Sequence, residues 1–192
     1  QAAQPLQCGA GGVRRSAGVS MAVKHELRRA TAADCDALVT LKSEYIRSLY
    51  RGFVPQNRLK ELDPTPYQSL LTTTLEAPGR QVLVLDAEGT LQGFAILGAD
   101  PENAGCGMIF DAAIRPGCDL LLWDELFCQA MASLLEQGMD RIHVWVLRDN
   151  FRMRFFYEQF GFRTEGVSRT IQQEGSEIQL TSYLYRAPDK LL

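Results

Sequence analysis

At 192 residues, with 46% apolar and 22% charged side chains, the chain has a globular composition and the length to bury a substantial core as one domain. Twenty Lys and Arg against 23 Asp and Glu leave a net charge of −3, which gives no general attraction for nucleic acid or an anionic membrane. No apolar run approaches the roughly 20 residues of a membrane-spanning helix, so a soluble protein with neither partner is expected.

Residues 1–20 hold no acidic residue and no apolar periodicity, and Met21 follows them. They read as a disordered or non-native leader, with a transit peptide as the lesser alternative. Residues 21–192 then form the single domain. The five cysteines are scattered without a CxxC, and His25 and His143 offer no zinc-type spacing, so no metal is expected. An odd number of scattered thiols suits a reducing compartment, which points to the cytoplasm. Cys118, in a loop beside Gly117, is the one thiol kept open to a functional reading.

His25–Arg29 reads as a short strand. Thr31 and Asp34 make a capping box for a helix with Leu38, Leu41, Tyr45 and Leu49 at helical spacing. Residues 58–62 suggest one further turn. Asp63-Pro64-Thr65-Pro66 opens a second helix through Leu70, Leu71 and Leu75, ended by Pro78-Gly79. Residues 81–86 and 91–97 are strands joined by a hairpin turn at Glu88-Gly89. A third strand covers 108–114. Asp119 caps a helix with Trp123, Phe127, Ala130, Met131 and Leu134 on its core face. A strand at 141–147, a helix at 151–160 and a left-handed Gly161 follow. Two strands, about 162–171 and 177–185, complete the chain.

One strand-helix-strand unit inside otherwise antiparallel strands predicts a mixed α/β (α+β) fold. Its sheet is largely antiparallel, with about seven strands and helices on both faces. Neither GxGxxG nor a P-loop is present, which excludes the usual dinucleotide and nucleoside triphosphate folds.

The stretch from His143 to Phe162 carries a family likeness. It runs Val144-Trp145-Val146-Leu147, then Asn150, Arg152, Phe156-Tyr157-Glu158 and Gly161-Phe162. With Gly93-Phe94 on an earlier strand and Tyr50 to Pro55 ahead of Leu59 and Leu62, it resembles the GCN5-related N-acetyltransferase (GNAT) superfamily, across roughly residues 27–186. The resemblance implies that acetyl-CoA lies between two strands that splay apart. Asn150 and Tyr157 would contact it, and Tyr157 would be the general acid that returns a proton to the CoA thiolate. Asn150 also reads as a plain helix cap. Phe156 and Phe160 read as core, Arg152 and Arg154 as a solvated face, and Trp145 as core or the wall of an acyl pocket.

The family's phosphate loop, Gln or Arg followed by glycines at a helix N-terminus, registers on Ile114, Arg115, Asp119, Leu120, Leu121 and Leu122. Asp119 stands where the Gln or Arg is expected, and Leu120 and Leu122 where glycines are. Its carboxylate would compete for the peptide N–H groups a phosphate needs. Arg115 is the nearby cation that would compensate. Many relatives carry a Glu base at a register that falls on Met108. Strand alternation places Asp111 on the opposite face from Met108 and Phe110, and Glu44 is a second carboxylate candidate.

The resemblance implies acetyl transfer from acetyl-CoA to a primary amine, on a small molecule or a peptide, that attacks the thioester directly. The acceptor would enter over Tyr50–Phe53 and residues 99–107. A non-catalytic binding or regulatory module of the same fold is the alternative, and a different thioester donor is a third. The sequence leaves a homodimer open.

Overall fold

The computed structural model describes residues 24–49, 65–173 and 176–188. The leader, Tyr50–Phe53, the turn at 58–62 and Glu174-Gly175 lie outside the described residues. Eleven elements follow in order: β1 (His25–Arg29), α1 (Cys35–Leu49), α2 (Thr65–Glu76), β2 (Arg80–Ala87), β3 (Thr90–Ala99), β4 (Cys106–Ile114), α3 (Leu120–Glu136), β5 (Arg141–Leu147), α4 (Phe151–Gln159), β6 (Arg163–Gln173) and β7 (Ser176–Arg186). Each predicted element that falls on the described residues is present, with ends moved by one or two residues.

A 3-10 turn, Ala32–Asp34, leads into α1. There the Thr31 N–H and hydroxyl both donate to the Asp34 carboxylate, at 2.7 and 3.0 Å. Arg28 donates to the same carboxylate and to Asp86 at 2.8–2.9 Å, tying β1, the turn and β2 together. First through this Arg28 contact, the Asp34 carboxyl is held well below the usual carboxylate range.

The strands form one sheet in the order β1-β2-β3-β4-β5-β7-β6. Among the described residues only β4 and β5 are parallel neighbours, as the β4-α3-β5 crossover requires. The two sides of the sheet have separate cores. On one side α1 and α2 cover Val82, Val84, Phe94 and Ile96 with Leu38, Leu41 and Leu71. On the other, α3 and α4 cover Leu83, Leu97, Ile109 and Val144 with Trp123, Leu126, Phe127 and Tyr157.

Phe127 centres the second core. Its ring meets Phe156, Tyr157, Phe160 and Phe162 at centroid distances of 4.8–5.8 Å. The aromatics of α4 divide by helical position. Phe156, Tyr157 and Phe160 turn inward, while Phe151 and Phe155 are exposed. Gly161 has φ 85° and reverses the chain into β6, as its position predicts. Gly98 serves a different need: a Cβ there would lie 2.5 Å from the Gly79 carbonyl oxygen, so the start of β2 reaches β3 only because the residue is glycine.

Candidate functional site

β4 and β5 pair from Cys106 opposite Arg141 only as far as Ile109 opposite Val144. The cause is visible on the other edge of β4. There Leu97 pairs with Ile109 and Ile96 with Asp111, leaving Phe110 as an extra residue in a bulge. A bulge bends its strand and increases the local twist, so β4 leaves β5 at this point. Beyond it, the Arg115 N–H donates to the Gln92 carbonyl on the β3 side at 2.7 Å. Strand alternation then turns the backbone groups of Ala112 and Ile114 toward β5, which no longer pairs with them. The result is an open backbone edge.

The bulge also corrects the placement of Asp111. Simple alternation put it on the opposite face from Met108 and Phe110. The extra residue resets the count, so Phe110 and Asp111 border one cavity on the α1–α2 side. There Asp111 Oδ1 accepts a hydrogen bond from Lys42 Nζ of α1. Burial works against the Lys42 ammonium, but Asp111 more than offsets it, and Lys42 holds its proton more tightly than a free lysine. Asp111 Oδ2 makes no hydrogen bond among the described residues.

Tyr157 belongs to α4, on the far side of the sheet, and is buried. Burial first, then the electrostatic influence of Tyr45 and Asp111, pushes its hydroxyl well above the ordinary phenol value. Those two residues belong to α1 and β4, so the hydroxyl is felt across the sheet. It has no hydrogen-bond partner among the described residues. At the start of the same helix, Asn150 Oδ1 accepts from the Met153 N–H at 3.1 Å. The cap reading of Asn150 is therefore realised, and its amide nitrogen stays open to another acceptor.

The start of α3 is built the same way with a charged residue. Asp119 Oδ1 accepts from the Leu121 N–H at 3.0 Å, as the sequence predicts. Leu120 and Leu121 expose their side chains to solvent. Asp124, one turn on, has its carboxyl pushed up by burial and by Asp119, and the Asp119 carboxylate offsets part of the attraction that a helix N-terminus has for anions.

Arg115 does not face this helix end as a free cation. Its guanidinium donates to Glu44 Oε2 at 2.7 Å and to the Leu91 carbonyl at 3.0 Å. That contact also occupies Glu44, the other carboxylate considered as a base. Arg154, read as part of a solvated face, donates to the Tyr183 hydroxyl at 2.9 Å and to the Arg148 carbonyl at 3.1 Å. Burial pushes the Cys118 thiol above its ordinary value, the reverse of what an activated nucleophile needs.

One cluster left no trace in the sequence. Buried His143 lies with Nδ1 2.9 Å from Asp100 Oδ2 and Nε2 2.8 Å from Ser182 Oγ, which donates to Glu165 Oε2 at 2.9 Å. Its members come from β5, the turn after β3, β7 and β6. Ser182 is 1% exposed, so this arrangement is a buried network joining strands and not an accessible nucleophile. Beside it the Trp145 ring carries the Arg169 guanidinium 4.1 Å from its centroid.

Among the described residues, a seven-stranded mixed sheet is parted by a bulge between its one parallel pair and is covered by two helices on each face, an acetyltransferase-type α+β fold. The sequence matches the model of the acetyltransferase (GNAT) family over residues 43–162, and the chain belongs to that family. Solved structures agree in fold. The PaiA N-acetyltransferase of Thermoplasma acidophilum, solved with coenzyme A, is 17% identical, with 85% of this chain and 99% of that one covered at a TM-score of 0.64. A protein of Staphylococcus epidermidis named a probable acetyltransferase gives 13%, 86%, 100% and 0.67 for the same quantities. The ribosomal-protein-alanine N-acetyltransferase of Brucella melitensis gives 18%, 84%, 99% and 0.62. No curated protein matches by sequence. Among the described residues no three His, Cys, Asp or Glu side chains group as metal ligands, and no helix is long and apolar enough to cross a membrane.

Proposed function

We propose that the protein transfers an acetyl group from acetyl-CoA to a primary amine. The observation that carries this reading is the open backbone edge at Ala112 and Ile114, two residues that pack into the same core as Tyr157, whose hydroxyl has no hydrogen-bond partner among the described residues. An extended, amide-containing arm finds peptide donors and acceptors along such an edge, much as an added strand would. Ile114, the free amide nitrogen of Asn150, and Tyr157 would hold the thioester end. The peptide groups of Leu120, Leu121 and Leu122, with Arg115 and Asp119 beside them, border the phosphate end. That end fits less well, because Asp119 already occupies the Leu121 N–H.

When bound, acetyl-CoA supplies an activated acyl thioester. The Ile114 N–H is then the donor available to a carbonyl oxygen on which negative charge develops. Tyr157 Oη keeps its proton throughout the neutral range and is the group that protonates a departing thiolate. This reading sets the protein in the cytoplasm, where free thiols such as those of Cys35, Cys106 and Cys118 persist, although Cys128 is disulfide-bonded. Residues 21–192 act as one domain in this reading, and a homodimer is compatible with it.

The second reading is a non-catalytic module of the same fold, and the Asp119 cap favours it. Calorimetric titration with acetyl-CoA separates the two, with Asn150→Ala as control. Absence of binding up to millimolar concentration overturns the enzyme. Binding that a change within residues 113–123 abolishes overturns the non-catalytic module.

A further inference from the structure

On the α1–α2 side of the sheet, against the bulge in β4, lies a cavity of about 180 Å³. Lys42, Leu71, Arg80, Phe94, Phe110 and Asp111 are among its lining. Its two cations differ. Lys42 is paired with Asp111. Arg80 has no carboxylate partner among the described residues, and its Nη1 is buried without any hydrogen bond. The guanidinium lies 3.3 Å from the Phe110 ring centroid. Stacking on an aromatic face accounts for where the group rests, but a ring cannot satisfy an N–H in the guanidinium plane. That nitrogen is closed to solvent, so an anion in the cavity would meet the rest of the Arg80 guanidinium, which lines it and which no described carboxylate compensates.

The other polar end of the cavity is Asp111, whose Oδ2 is open and whose charge is felt at Tyr157. An open carboxylate oxygen accepts from the N–H of an amine. The cavity therefore offers an acceptor for an amine at the end near the gap and a donor for an anion at Arg80. With Lys42 neutralised by Asp111, one positive charge remains uncompensated, which suits a monoanionic carboxylate better than a doubly charged phosphate. The volume is close to that of a protein cavity that holds benzene, so it admits a fragment of about six non-hydrogen atoms.

Building on the acetyltransferase reading above, we infer that the acceptor is a short amino carboxylate, held by its carboxylate at Arg80 and its amine at Asp111. The amine is thereby presented toward the edge at Ile114.

The test compares ω-amino carboxylates of two to six carbons with n-alkylamines of equal length, at saturating acetyl-CoA. The best amino carboxylate should exceed its matched alkylamine in kcat/KM by about tenfold or more, the factor of a hydrogen bond to a charged group. Arg80→Gln should remove that preference through KM with kcat unchanged, and Arg80→Lys should restore part of it. Equal rates on both series, or a preference that survives in Arg80→Gln, overturns the inference. So does a KM rise of the same size for alkylamines, which would mark Arg80 as merely structural. A second measurement needs no turnover: an NMR titration of the full chain with butanoate, with butanamide as the neutral control. Saturable shifts at the Phe110 and Asp111 amides with butanoate only, lost in Arg80→Gln, uphold the carboxylate site even where acetyl-CoA fails to bind. In that case only the acetyl-transfer reading falls. Acetyl-CoA binding with no butanoate response leaves that reading standing and overturns the carboxylate site.

Discussion

The two strands that part at the gap each run into a helix, and the starts of these two helices are capped alike but charged differently. At α4 the cap is Asn150, which accepts from Met153 at 3.1 Å. At α3 it is Asp119, which accepts from Leu121 at 3.0 Å. Both side chains satisfy one of the donors that every helix N-terminus leaves open. For folding the two are near equivalents. For an anionic ligand they are opposites, because the neutral cap leaves the helix dipole free to attract and the carboxylate cancels part of it. Local stability and ligand electrostatics can thus be tuned separately at one residue.

The largest expected effect lies on the α4 side. Tyr157→Phe keeps the ring packed on Phe127 and removes the proton donor, so kcat should fall by about 10²–10⁴-fold, the usual range for a general acid. Acetyl-CoA affinity by calorimetry should fall far less than kcat. An unaltered rate removes Tyr157 as the acid.

Asn150→Ala tests whether the neutral cap is more than a cap. Loss of the Met153 bond should cost about 1 kcal/mol in denaturant unfolding. The affinity for acetyl-CoA should fall as well if the free amide nitrogen is a contact. Asn150→Asp, which keeps the cap, separates the two effects: stability should recover while affinity does not.

Asp119→Asn makes the two helix starts alike in charge. Unfolding stability should change by no more than a few tenths of a kcal/mol, while acetyl-CoA binding tightens by about 0.3–1 kcal/mol, or roughly two- to fivefold. Weaker binding would mean that Asp119 assists the ligand and would reverse the electrostatic argument.

Acidity gives the smallest effect. The Asp124 carboxyl is raised by burial and by Asp119. A raised carboxylate is charged at a cost in the folded state above its folded value, and that cost is relieved as pH falls through it. Lowering the pH toward the ordinary carboxylate range should therefore bring a small stabilising contribution that Asp124→Asn abolishes. The opposite sign holds at Asp34, whose carboxyl is depressed by Arg28. Its contribution is complete above the ordinary carboxylate value and is lost as pH falls below it, and Arg28→Gln should remove it. Thermal unfolding between neutral and acid pH measures both.

Much of the site's framework was legible because its signals are local. Thr31 with Asp34, Asp119, Asn150 and Gly161 mark helix ends by chemistry within four residues, and all four behave as read. The core face of α3 followed from periodicity alone. The errors share a different character. Asp111 was put on the wrong face because a bulge is a property of the pairing between β3 and β4, and Phe110 carries no local mark of being the extra residue. Arg115 was read as available because its partner Glu44 lies 71 positions away. The His143 network was unreadable for the same reason, since its four members meet only when the sheet forms.

By itself the sequence determined the order of elements, the caps, the family likeness and the departure at Asp119, because each depends on neighbours along the chain. Tertiary structure alone decided where β4 leaves β5, which carboxylate faces the cavity, and which arginine is spent and which is open. Those are outcomes of strand register and of charges brought together from distant segments. Arg80 and Arg115 are equal as letters, and only packing closed Arg115 into an ion pair and left Arg80 without a carboxylate among the described residues.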